Sequence, residues 1–321
     1  MAPRVVLLAD AGPMIGVGHV VRSLSIGAEM KRRGAEPLLL SRDLNDALVA
    51  RATRLGVPHY GRRCPMDDGR LPSEVREYEP DLIIRDSYSF SEGVVAELDR
   101  LEAPSLVIDD NREAPLGRPT ALLNQNLHAM KSDYADLLGT RLMLGPRWCL
   151  IREEVRELAR EVPPHREMSV LISTGGSDPL GVRRALADCI GGLGVRVVEA
   201  PGLMVQSNSS VSYERLLAQS TVAVIAAGTS LWEAACLGTP AIAVVTAQNQ
   251  EALAREGENA GICRAVDIRF GLDEGMVKAV ACELLESGED RDSMMRAGRA
   301  LIDGEGVRRV GELLDETMRE S

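Results

Sequence analysis

Residues 4–22 read RVVLLADAGPMIGVGHVVR. Arg4–Ala9 is an aliphatic run without polar alternation, the pattern of a parallel strand buried on both faces. It ends at Asp10 and Gly12. Gly18–Arg33 then carries helical apolar spacing and stops at Gly34. Between them, Gly16 and Gly18 let the backbone turn tightly and approach a ligand closely. His19 falls at the start of the helix, at the carboxyl end of the first strand, where open α/β sheets bind their ligands. The spacing is not a dinucleotide-binding GxGxxG, because Arg22 stands where the third glycine packs helix against strand. A polar helix-start residue without chemistry is the plainer reading of His19. It is nevertheless the only one of the four histidines in a glycine turn at a strand end; His59, His128 and His165 read as surface or structural.

The same alternation continues. Strands are expected at Pro37–Leu40, Leu82–Ile84, Ser105–Ile108 and Ala121–Leu123, and helices over Leu44–Leu55 and Glu92–Leu101. Leu144–Cys149 reads as a connection, followed by a charged, solvated helix over Arg152–Glu161. The pattern then restarts with strands at Ser169–Ser173, Val195–Glu199, Val222–Ala226 and Ala241–Val245. Helices are expected over Leu180–Ile190, Tyr213–Gln219, Leu231–Leu237 and Glu251–Glu256, with a helical tail from Met276. Strands alternating with helices of this length indicate βαβ units. The expected architecture is α/β, with two doubly wound, Rossmann-like parallel-sheet domains, residues 1–150 and 151–321.

Composition agrees. The 321 residues suffice for two domains, and with 45% apolar but only 3% aromatic residues both cores must be aliphatic. A net charge of −11 argues against a nucleic-acid partner, though not against a mononucleotide held by backbone amides. The six scattered cysteines form no CxxC pair, so neither a disulfide framework nor a zinc site is expected. The N-terminus lacks a signal-peptide core, and no apolar run approaches the ~20 residues of a membrane span. A cytoplasmic protein, monomeric by default, is the simplest expectation.

Two loops of the second half carry anion-binding chemistry. Thr174-Gly175-Gly176-Ser177-Asp178-Pro179 follows a buried strand, and its glycines expose amides; a helix cap by Ser177 or Asp178 explains it equally well. Ala226-Ala227-Gly228-Thr229-Ser230-Leu231-Trp232-Glu233 brings a strand end onto bare helix amides, where a diphosphate is stabilised. Glu233, one turn in, is placed to accept from ribose hydroxyls; a Ser230/Glu233 capping box is the alternative. Asn249 and Gln250, after the next strand, add neutral amides at the same sheet end.

Together these pieces resemble the UDP-sugar hydrolases of pseudaminic acid biosynthesis (PseG) and the related spore-coat SpsG proteins, and more distantly MurG-type GT-B glycosyltransferases. The resemblance rests on Ile15-Gly16-Val17-Gly18-His19-Val20-Val21-Arg22, Asp86-Ser87-Tyr88, Ile108-Asp109-Asp110, Asn124-Gln125-Asn126 and Leu144-Gly145-Pro146 with Leu150-Ile151-Arg152. It continues through Gly175–Pro179, Gly228–Glu233 and Leu237-Gly238-Thr239-Pro240. Departures stand at Asn124, Leu180-Gly181, Ala226-Ala227-Gly228 and Ala247–Gln250, and these bear on the sugar and the acceptor.

The resemblance implies two GT-B domains facing a cleft and hydrolysis of a UDP-sugar at its anomeric carbon. His19 would act as base, and Asp86 and Tyr88 would line the sugar pocket or position His19, beside Gly16, Gly18 and Arg22. Gly175, Gly176, Ser177, Gly228, Thr229, Ser230, Asn249 and Gln250 would hold the nucleotide, with Glu233 on the ribose. UDP is a good leaving group because phosphate oxygens ionise readily, so neither metal nor cofactor is expected. A glycosyltransferase using the same donor site, and a nucleotide-sugar-binding protein without activity, are the alternatives.

Overall fold

The structure, a computed structural model, describes residues 1–12, 16–60, 70–161, 167–175, 178, 180–200 and 211–320. It divides into two compact units, Met1–Leu150 with Glu305–Ser321, and Ile151–Gly304.

The first unit is built on seven parallel strands: β1 (Arg4–Ala9), β2 (Glu36–Leu40), β3 (His59–Tyr60), β4 (Leu82–Asp86), β5 (Ser105–Ile108), β6 (Ala121–Asn124) and β7 (Arg141–Leu144). Their order is β3-β2-β1-β4-β5-β6-β7. Helices α1 (Gly18–Arg32), α2 (Asp46–Leu55), α3 (Ser73–Tyr78) and α4 (Glu92–Asp99) connect the first five. Val5–Ala9 are fully buried, as a central strand covered on both faces requires. One face packs Val6, Leu8 and Ile83 against Val75, Val94 and Leu98 of α3 and α4. The chain winds outward from β1 through β2 to β3, then crosses to β4 on the other side of β1. The β1/β4 boundary is therefore the point where the winding reverses, and a crevice opens there at the carboxyl ends.

The second unit holds β8 (Glu167–Ser173), β9 (Arg196–Glu199), β10 (Ser220–Ala226), β11 (Ala241–Val245) and β12 (Arg264–Asp267), parallel, in the order β12-β11-β10-β8-β9. Its helices are α5 (Glu153–Arg160), α6 (Arg183–Gly191), α7 (Tyr213–Gln219), α8 (Thr229–Leu237), α9 (Glu251–Asn259), α10 (Glu274–Glu286) and α11 (Gly288–Leu301). Here the winding reverses between β8 and β10. The expected start of α6 at Leu180 is corrected to Arg183: Gly181 takes a left-handed φ of +63°, which a helix cannot continue through.

The last helix, α12 (Gly306–Glu320), corrects the assignment of the whole tail to the second half. It returns to the first unit and lays Val307, Val310, Leu313 and Leu314 inward, packing against α1. Arg33, at the end of α1, bonds Asp315 at 2.9 Å and Glu29 at 2.6 Å, fixing the two helices in register. At the entry to α12, Gly306 lies against the backbone of Cys149 so closely that an added Cβ would fall 2.1 Å from its carbonyl oxygen.

Candidate active site

At the β1/β4 crevice the glycine turn is pinned by two backbone bonds, Gly12 N–H to Gly16 O at 3.0 Å and the reverse at 2.8 Å. Gly16 holds φ +76°, which favours glycine, with open space where a Cβ would stand. Gly18 opens α1, so His19 and Arg22, three residues apart, share the face turned to the end of β4. Asp86, the last residue of β4, meets both. Its Oδ1 lies 2.6 Å from His19 Nδ1 and 2.7 Å from Arg22 Nη2, and its Oδ2 accepts from Arg22 Nε at 2.6 Å. Tyr88 sets its ring edge-on to the His19 imidazole, with centroids 4.5 Å apart.

Asp110, just beyond β5, completes the group. It accepts from Arg22 Nη1 and Nη2 at 3.0 and 2.8 Å, from the Tyr88 hydroxyl at 2.6 Å and from Asn126 Nδ2 at 3.1 Å. Burial opposes its ionisation, but the Arg22 guanidinium outweighs that and holds the Asp110 carboxyl far below the usual carboxylate range. Burial, with Asp110 beside it, pushes the Tyr88 phenol up, so it remains a protonated donor. One buried cation thus bridges two carboxylates, the buried Asp86 and the half-buried Asp110, and leaves the trio one negative charge in excess. An ionised Asp86 can only accept on the shared edge, so a neutral His19 that bonds to it carries its proton on Nδ1. Nε2 then carries the lone pair, which is the arrangement of an oriented general base. Beside the cluster, Asp10 at the end of β1 accepts from Arg42 at 2.9 Å and from Ser87 at 2.5 Å.

In the second unit, Gly228 precedes α8 and no side chain caps the helix; Leu231 N–H is the first to bond back, to Gly228 O at 2.9 Å. Among the described residues nothing lies within 4 Å of where a Cβ on Gly228 would stand. A capping box does not form: Ser230 lies inside the helix, and Glu233 turns away from the N-terminus. Its two oxygens accept from Arg152 Nε at 2.5 Å and Nη2 at 2.9 Å, and Arg152 Nη1 stands 3.5 Å from Glu214. Arg152, expected at the head of a solvated helix, is buried.

The neighbouring loop behaves differently. Gly175 takes φ +89° beside Ala226, but Asp178 accepts from Val182 N–H at 3.2 Å and Arg183 N–H at 3.3 Å. Two amides at the start of α6 are therefore already occupied, whereas Gly228 offers α8 no side-chain cap. Gly176 and Ser177 lie outside the described residues. Beyond β11, Gln250 Oε1 closes its own loop by accepting from Thr246 N–H at 2.8 Å, while Asn249 is exposed. Among the described residues no His, Cys, Asp and Glu are grouped to hold a metal ion, and no helix is long and apolar enough to cross a membrane.

No protein-family model matches the chain. It is similar to the spore coat polysaccharide biosynthesis protein SpsG of Bacillus subtilis (strain 168), 22% identical over 343 aligned positions covering 97% of each chain. Among solved structures it is similar to the glycotransferase of kitacinnamycin (TM-score 0.69, 18% identity, 98% of this chain and 99% of that one). It is likewise similar to MurG of Acinetobacter baumannii (0.67, 13%, 98% and 99%) and to LpCGTa, solved in complex with UDP (0.70, 14%, 99% of each). The fold is GT-B.

Four residues of these clusters were underread in the sequence. Asp10 marks a strand end, Asp110 and Asn126 lie inside quoted motifs without a role, and Arg152 passes for a surface cation. Asp110 had a legible signal, since an Asp-Asp pair directly after an aliphatic strand is unusual for a buried strand end. Arg152 had none, because its partner Glu233 lies 81 positions away.

Proposed function

We propose that this chain is an enzyme that breaks the anomeric C–O bond of a UDP-activated sugar, with His19 as the general base. The observation that carries the reading is the His19–Asp86 bond, which leaves Nε2 as the basic nitrogen at the end of β4. The attacking O–H gives its proton to Nε2, its oxygen forms the new bond to the anomeric carbon, and the sugar–phosphate bond breaks with its electron pair leaving on UDP. Asp86 and Arg22 hold the imidazole in place, and Asp86 stabilises the imidazolium that results. The bare end of α8 receives the departing diphosphate, where amides and helix dipole stabilise developing negative charge.

Transfer to an acceptor hydroxyl is the reading the solved neighbours favour, since those are glycosyltransferases and one holds UDP. Hydrolysis uses the same parts with water as nucleophile, and the ordered motifs shared with PseG and SpsG favour it. A panel of UDP-sugars incubated with and without acceptors separates the two: UDP released only with an acceptor means transfer, and release without one means hydrolysis. His19→Ala is expected to bind UDP normally and release none from substrate. A variant as fast as the parent would sink the assignment.

A further inference from the structure

Tyr213 opens α7, which runs down into β10, so its side chain stands at the carboxyl end of the second sheet. Ser173 ends β8 and Ser230 is the second residue of α8; the hydroxyls of both lie near the Tyr213 phenol and lower its pKa, but neither meets it in hydrogen-bond geometry. The charged groups acting on it are Glu233 and Arg152. Its hydroxyl oxygen is nevertheless buried and has no hydrogen-bond partner, although a buried hydroxyl without a partner is costly. Burial first, then the Glu233 carboxylate, push the phenol up to about 12, so the group keeps its proton and remains a donor at neutral pH.

This donor stands beside Ser230, in the first turn of α8, a helix whose N-cap Gly228 offers no side-chain cap. Glu233, the carboxylate that would repel an anion there, is already matched by Arg152 through two hydrogen bonds. The hydroxyl and the first amides of α8 are all donors, and one chemical group answers them together, an anionic oxygen. We infer that Tyr213 is a ligand-binding residue whose hydroxyl donates to a phosphate oxygen of the nucleoside diphosphate seated at α8. The inference rests on the nucleotide reading of this unit and adds a residue that none of the sequence motifs contains.

Tyr213→Phe keeps the ring and removes only the orphan oxygen. Calorimetric titration of the full chain and the variant with UDP and with pyrophosphate, together with their ligand-free melting temperatures, provides the test. The ligand-free variant is expected to melt at or above the parent, since an unpaired buried group has been deleted. Its affinity for both ligands is expected to fall roughly 10- to 100-fold, the worth of a hydrogen bond to a charged acceptor. A lower ligand-free melting temperature with unchanged UDP affinity would make the hydroxyl structural and overturn the inference. Weakened UDP binding with unchanged pyrophosphate binding would move the contact to the nucleoside and overturn the phosphate assignment. If the parent itself binds neither ligand, the nucleotide reading fails and takes this inference with it; parent binding matched by the variant defeats the inference alone.

Discussion

One oxygen of Asp86 answers two groups at once: Oδ1 lies 2.6 Å from His19 Nδ1 and 2.7 Å from Arg22 Nη2. Asp86→Asn would set an amide against this pair, and an amide N–H pointed at Nδ1 forces the proton onto Nε2, the nitrogen that must accept. Turnover is expected to fall about 10²- to 10⁴-fold with KM little changed. Steady-state kinetics on the substrate found in the UDP-sugar panel provide the check. A full-speed Asp86→Asn enzyme would remove Asp86 from the mechanism.

Asp110 ties the same cluster to acid stability. Arg22 holds its folded-state pKa below the unfolded value of about 3.9, so its contribution is complete above that pH and is lost as pH falls towards the folded value. Asp110→Asn is expected to be less stable than the parent at pH 7 by about 1.5–3 kcal/mol, the scale for losing charge-assisted hydrogen bonds while Arg22 stays paired with Asp86. The difference should shrink as pH drops below about 4. Denaturant titrations at pH 7, 4 and 3 measure it, and a gap that widens on acidification would contradict the pairing.

The docking of α12 on the first unit has a steric signature. An alanine Cβ at 306 would meet the Cys149 backbone, oxygen at 2.1 Å and nitrogen at 2.8 Å, whereas one at 311 would meet Glu29 Cγ at 2.6 Å and Arg33 Nε at 2.8 Å. Backbone cannot step aside as side-chain atoms do, so Gly306→Ala is expected to cost about 1–3 kcal/mol and Gly311→Ala less. Thermal unfolding of the two variants ranks them, and the opposite order would show that α12 is not seated this way.

Gly228 offers the complementary case. Its φ of −143° is open to any residue and no described residue lies within 4 Å of a Cβ there, so Gly228→Ala is expected to fold with stability within about 0.5 kcal/mol of the parent. The same methyl group would intrude above the α8 amides, and UDP affinity is expected to fall about tenfold, the equivalent of one lost contact of ~1.4 kcal/mol. Unchanged UDP binding would place the diphosphate elsewhere.

Much of the architecture was legible before any coordinates, and for a physical reason. A strand covered on both faces must be aliphatic throughout, so β1, β5 and β11 could be bounded to the residue from composition alone. β3, β7 and β12 escaped notice because they are short edge strands, and partial exposure removes the pressure for an unbroken apolar run. The glycine turns announced themselves for the same kind of reason, since close backbone approach excludes side chains locally.

What required tertiary structure is every relationship between distant positions. His19 and Asp86 are 67 residues apart, and Arg22 and Asp110 are 88 apart; strand order brings their ends to one crevice. Nothing near Arg152 marks it as buried, because the carboxylates that make its burial tolerable come from α7 and α8. The charged tail gave no sign that its last helix returns to α1, since an amphipathic helix records that it has an apolar face, not which surface will cover it.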